Sequence, residues 1–309
     1  MMAAARHDGQ PAARPRGGWA GRFAESAAAG PWLLPALAVL GLILVYPLVL
    51  VVGYSFTDRT SALPGDWVGI ENYKFLFGES LFWSAVKNNL ILLLSVPISV
   101  GLALVLTAII YRGIWAGGLW ESLLFLPFLP AVAAIGVVFL LLLGNDGPIN
   151  SGLEAVGLGA LVQPWLTDPT WAIWAILLVV IWKRVGFTVL LFMARMLSVD
   201  RELFDAAAVD GAPWWKTFRH VAVPELRSII LFAAVLGIIE VFAWSFAYVF
   251  VLTRGGPFQS SYTLEYLLYR FQFQEQLVGI ASAVAVVLVV IALCVAAYRM
   301  RLLRQEGVL

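Results

Sequence analysis

The chain has 309 residues, 61% of them hydrophobic and only 13% charged, where an average soluble domain carries about 25% charged residues. That balance excludes an ordinary water-soluble globule and places the polypeptide in a membrane. A formal net charge of +1 gives no support for nucleic acid as a partner, and a single cysteine, Cys294 within an apolar run, excludes a disulfide framework.

In chain order, residues 1–30 are small, Pro/Gly/Ala-rich and basic (Arg6, Arg14, Arg16, Arg22), the composition of a partly disordered cytoplasmic tail before a membrane domain over 31–309. Residues 32–53 stay apolar for longer than the roughly 7–15 residues of a signal-peptide core, so they read as an anchored first span. Pro35 and Pro47 within it predict neighbouring helices that satisfy the carbonyls each proline frees. Residues 55–87 read as a polar outer segment. Span two is expected over 89–110, ending at the interfacial pair Tyr111-Arg112. Span three is expected over 119–143 with Pro127 and Pro130 near its start, and 144–170 reads as a loop without Lys or Arg. Spans four, five and six are expected over about 171–193, 229–252 and 278–298.

Between spans four and five lies the longest polar passage of the second half, 198–228. Ser198 or Asp200 is suited to cap a helix, along which Leu203, Ala206, Ala207 and Asp210 share one face. Asp210-Gly211 breaks the turn. Pro213 suits the first position of a second short helix with Trp214, Phe218 and Val221 on one face, and Pro224 is expected to stop it. The alanine row and the aromatic face together read as a docking surface.

With the N-terminus inside, the inner segments hold thirteen Lys and Arg and the outer segments five. This bias predicts both termini and the 198–228 loop on the cytoplasmic side. No GxxxxGK[ST] phosphate loop, HExxH, GxSxG or Cys/His cluster occurs. The two histidines, His7 and His220, read as solvated tail and loop residues, so catalysis within this chain is not expected.

Three charges fall inside spans, Lys183 and Arg184 on span four and Glu240 on span five. Each costs at least ~2.5 kcal/mol at mid-bilayer unless it is paired or faces a cavity. Two readings stay open: an ion pair that locks the two spans together, or side chains lining a solute path. Glu240, Trp244 and Tyr248 recur at intervals of four with Ser245 beside them, which suits a sugar's polar rim and apolar C–H face. Trp244 serves equally well as plain packing.

The run Asp205-Ala206-Ala207, then Gly211, Val221 and Val223-Pro224, resembles the EAA loop of ABC-importer permeases. Asp210-Gly211-Ala212, Trp215 and Phe218 match its sugar-importing form. The sequence departs in Asp205, where Glu is usual, and in Ser228, where a second proline is common. Trp67-Val68-Gly69-Ile70-Glu71-Asn72-Tyr73, Gly147-Pro148-Ile149-Asn150, Trp165-Leu166 with Asp168-Pro169, Leu252-Thr253-Arg254-Gly255-Gly256-Pro257 and Gly279-Ile280-Ala281-Ser282-Ala283 extend the likeness over about 32–297. The resemblance implies an all-α bundle of six transmembrane helices, the MetI-like permease fold, in a bacterial-type cytoplasmic membrane. It implies that the helices bearing Lys183, Gly186 and Phe187, and Val241, Phe242 and Ser245, hold the solute.

By the same resemblance the partners are a second homologous permease subunit, two ATP-binding cassette subunits, an extracytoplasmic solute-binding protein and membrane lipid. ATP and Mg would be bound by those partners, and this chain would hold no cofactor. The expected function is uptake of a carbohydrate. A glycerophosphodiester or glycerol phosphate is the alternative within the family, favoured by a basic lining from Lys183 and Arg184. An ion-coupled secondary transporter, with Glu240 titrating, is the rival from another class; a membrane enzyme ranks third.

Overall fold

The computed structural model describes residues 33–305. The tail expected over 1–30, with His7, lies outside the described residues. The chain divides into two compact units, Met1–Leu50 and Val51–Leu309. In the first, the described residues are helical and present exposed apolar side chains such as Leu42 and Ile43. In the second, helices are joined by short turns, and the one β-bridge among the described residues pairs Thr57 with Trp67.

Five helices are long and apolar enough to cross a membrane: Leu33–Tyr54, Ser80–Tyr111, Ala172–Met196, Arg227–Leu252 and Val278–Ala297. The bent pair Gly117–Phe128 and Val132–Leu142, which meet at 96°, makes a sixth candidate when its two arms are counted as one span. These are spans one, two, four, five, six and three. Span three corrects the expected continuous helix over 119–143. Pro127 and Pro130 deny it two N–H groups, and Ala131 adopts an extended conformation (φ −58°, ψ 147°) that restarts the chain in a new direction.

Span two starts at Ser80 rather than at 89. The early turns are polar but have partners. Asn88 Nδ2 donates to the carbonyls of Ser260 and Tyr262 at 2.7 and 2.8 Å, and Asn89 Oδ1 accepts from the Leu264 N–H at 2.8 Å. The outer segment before it contains a helix, Glu71–Gly78. The 144–170 loop contains Pro148–Ala155, where buried Asn150 bonds the carbonyls of Asn145 and Gln163 and accepts from Trp165 Nε1.

Two prolines are accommodated in the same way. A π-turn, Gly41–Val45, ends two residues before Pro47 with the Tyr46 N–H bonded to the Gly41 carbonyl. Another, Phe218–Ala222, ends two residues before Pro224 with the Val223 N–H bonded to the Phe218 carbonyl. A widened turn draws the earlier carbonyls away from the pyrrolidine ring, so the helix continues past the proline. Pro224 therefore does not stop its helix. The chain runs through Val223–Glu225 to a turn at Leu226 and directly into span five.

Span four is the axis of the second unit, with Ile176, Val179 and Phe192 fully buried. Gly186 lets the first half of span three lie against it, since a Cβ there would overlap the Leu124 carbonyl. Lipid is as apolar as leucine, so such close approach and interhelical hydrogen bonds, not hydrophobicity, hold spans together.

Candidate functional site

One cavity, of about 450 Å3, lies among spans three, four and five. Lys183, Arg184 and Phe187 of span four and Glu240 and Trp244 of span five line it, with the elbow 128–132 of span three. Neighbouring residues on a helix point about 100° apart, and this separates the two cations. Lys183 turns to the elbow, where Nζ donates to the carbonyls of Phe128 (2.8 Å) and Pro130 (2.9 Å) that the break leaves without helical donors. The ammonium also sits 5.2 Å from the Phe128 ring centre. Phe128 in turn stacks on Phe187 at 4.4 Å.

Arg184 turns to span five. Its guanidinium bonds Glu240 Oε2 at 2.9 Å and the Ala233 carbonyl at 2.5 Å. Gly237 lies between these two partners, and a Cβ on it would strike the guanidinium. Arg184–Glu240 is thus an interspan ion pair, and both of its residues also line the cavity.

The other sequence-predicted residues separate. Trp244 is 58% exposed on the cavity's open side. Val241, Ser245 and Tyr248 border a gap of only about 10 Å3 behind the ion pair, about the least that holds one water. Gly186 serves helix packing, and Phe242 is half-buried away from the cavity lining. Ser245 faces the short helix Leu264–Tyr269 and donates to Glu265 Oε2 at 2.6 Å. Asn89 Nδ2 reaches the same carboxylate at 3.2 and 3.3 Å. Burial raises the Glu265 pKa above the ordinary carboxylate range, opposed by bonds from Ser245, its own backbone N–H, Thr263 and Asn89.

The sequence reading missed Glu265, Gly237 and the elbow carbonyls. A glutamate opening the short helix after Thr263, its N-cap, looks like an ordinary first-turn acid. A glycine three residues before an intramembrane glutamate was the available signal for Gly237.

A second constellation lies at the other end of spans two and four. The helix Arg201–Val209 begins after Asp200, but neither expected cap forms. Ser198 Oγ instead bonds Arg195, donating to its carbonyl and accepting from its guanidinium. Gly211 has φ +69°, the left-handed turn that glycine allows. Pro213 is the N-cap of Trp214–Thr217, not its first residue.

The aromatic face is not free for docking. Trp214 stacks on Tyr111 and Phe204, at 6.1 and 6.3 Å, and its Nε1 donates to the Ala108 carbonyl of span two. Phe218 is buried beneath it. What stays outside is Asp205, Ala206, Asp210, Gly211, Trp215 and Pro224, with Ala207 and Ala212 half-buried. The Asp205 side chain makes no hydrogen bond or ion pair among the described residues. Arg195 joins the end of span four to Glu225 at 3.2 Å.

An all-helical, multi-pass membrane domain with a mostly apolar cavity holding three charged side chains among its spans, and a braced loop at one end, has a permease-type architecture. The chain belongs to the family described as binding-protein-dependent transport system inner membrane component, whose model matches residues 84–304, and it is a multi-pass protein of the inner membrane. It is 33% identical to the sulfoquinovosyl glycerol transport system permease protein SmoG of Agrobacterium fabrum, over 89% of each chain. It is 31% identical to the lactose transport system permease protein LacF of Rhizobium radiobacter, over 79% of this chain and 83% of that one. A chain from the crystal structure of a bacterial ABC transporter involved in the import of the acidic polysaccharide alginate shares the fold, with TM-score 0.77 and 22% identity, over 92% of this chain and 98% of that one.

Proposed function

We propose that this chain is the permease subunit of an ATP-driven importer and forms one half of a solute path for a carbohydrate. The observation that carries the reading is the cavity of spans three to five, where a cation, an ion pair and the aromatic faces of Phe187 and Trp244 meet. Its volume lies within the roughly 300–1,000 Å3 of small-molecule sites. The names of the relatives, which specify lactose and sulfoquinovosyl glycerol, support the substrate class.

The remaining parts of the transporter follow from what this chain lacks and what it exposes. A second homologous permease chain closes the open side of the cavity near Trp244. A solute-binding protein delivers at the outer end, and two ATP-binding cassette subunits, which carry ATP and Mg, grip the 198–228 loop. The Lys/Arg bias supports a cytoplasmic position for that loop and both termini.

Force applied to Arg201–Val209 passes through Phe204 and Trp214 to Tyr111 and Ala108 of span two, and through Glu225 to Arg195 of span four. ATP, by binding the closed cassette pair more tightly, shifts the population toward one orientation of the cavity. The ion-coupled rival loses support because Glu240 already holds a resident counter-ion in Arg184.

The test is uptake of labelled sugars into proteoliposomes holding the chain with its co-encoded partners. Uptake should require ATP, and Gly211→Pro should reduce it to background at equal protein level, because proline cannot adopt φ +69°. Uptake independent of ATP, or unimpaired in the variant, would overturn the reading.

A further inference from the structure

Resting on the importer reading above, we infer that the transported solute is anionic, a sugar or polyol bearing a carboxylate, sulfonate or phosphate, and that Lys183 receives the charged group. The charge balance of the cavity carries the inference. Three ionic side chains line it, and two of them, Arg184 and Glu240, cancel at 2.9 Å. Lys183 makes no ion pair among the described residues, and Glu240, whose charge acts on it across the cavity, is already bonded to Arg184. Glu121, the other acid within these spans, makes no ion pair among the described residues.

The carbonyls of Phe128 and Pro130 occupy two of the three ammonium N–H groups but do not neutralise the charge. A neutral amide or hydroxyl would satisfy freed carbonyls at that depth without placing a net cation there. The bonds to the elbow therefore explain how Lys183 is held, not why it is a lysine. A solute anion supplies the missing counter-charge, while Trp244, exposed beside the stacked Phe128–Phe187 pair, offers an aromatic surface to the apolar side of a sugar ring.

A second cavity carries the same signature independently. About 550 Å3 in volume, it lies at the outer end of spans two and four, where Ser84, Lys87, Asn88, Thr170, Trp174 and Gln259 are part of its lining, and no carboxylate lines it. Lys87 makes no ion pair among the described residues. Trp174 and Lys183 are nine residues apart on span four, about 14 Å along its axis. An anion moving between the two cavities meets a lysine in each and no unpaired acid in their linings.

The experiment uses the complete reconstituted transporter and four probes that differ only at C6: methyl glucoside, its glucuronate, its 6-sulfonate and its 6-phosphate. At least one acidic probe should enter at least tenfold faster than the neutral one, and the set identifies which acid. Lys183→Gln should lower the acidic-to-neutral ratio at least tenfold, and Lys183→Arg should retain it. Preferred entry of the neutral glucoside, or a ratio unchanged across the three proteins, would overturn the inference and leave the importer reading standing. ATP-dependent entry of none of the four would overturn the importer reading and the inference with it.

Discussion

Glu265 is held by hydroxyl and amide donors and, among the described residues, by no cation, the opposite arrangement to Glu240. Because burial raises its pKa, the folded protein holds the proton more tightly than the unfolded chain does. Its stabilising contribution is complete below the ordinary glutamate value and is lost as the pH rises through the raised value. Glu265→Gln keeps an acceptor for Ser245 and cannot ionise. The thermal midpoint of the wild type in detergent should fall between about pH 4, near the unperturbed glutamate value, and neutrality, while that of the variant should change less. Parallel profiles for the two proteins would remove Glu265 as the source. At this scale the sequence was only partly legible. Charge inside a span is visible as composition, so Lys183, Arg184 and Glu240 could be read directly. Which cation meets which partner depends on a 100° rotation and on an elbow that no periodicity encodes.

The elements divide by what breaks them. Pro47 and Pro224 sit in helices that widen by one residue ahead of the ring and continue. Pro127 and Pro130, spaced three apart, leave no intervening turn in which to widen, and span three folds into two arms. Proline content was legible in the sequence, but the choice between bulge and break follows from this spacing. The 198–228 loop was legible in its turn at Gly211 and in its two helices. Its aromatic face was misread as a free surface because Tyr111 and Ala108, its partners, lie about a hundred residues earlier. Trp214→Ala should cost about 3 kcal/mol of local packing and lower ATP-driven uptake more than it lowers insertion into the membrane. Uptake equal to wild type at matched protein level would show that force does not pass through this stack.

At the scale of the whole molecule, the structure separates two ends that the sequence could only rank by charge. One end gathers Asn88, Ser260 and Tyr262, and the other gathers Ala108, Trp214, Arg195 and Glu225. The Lys/Arg bias supports the proposal that the second end meets the cytoplasm. The excess lies with Arg112, Arg195, Arg201, Lys216 and Arg219 at the second end, where basic loops resist translocation. Phe258 and Val209, 94% and 88% exposed, mark the first and second ends. With Cys294 replaced by alanine, Val209→Cys should react with a membrane-impermeant maleimide only in inside-out vesicles. Phe258→Cys should react only in right-side-out ones. The reverse pattern would place the 198–228 loop outside, where no nucleotide-driven partner could reach it. The force path through Phe204 and Trp214 would then connect span two to nothing that moves.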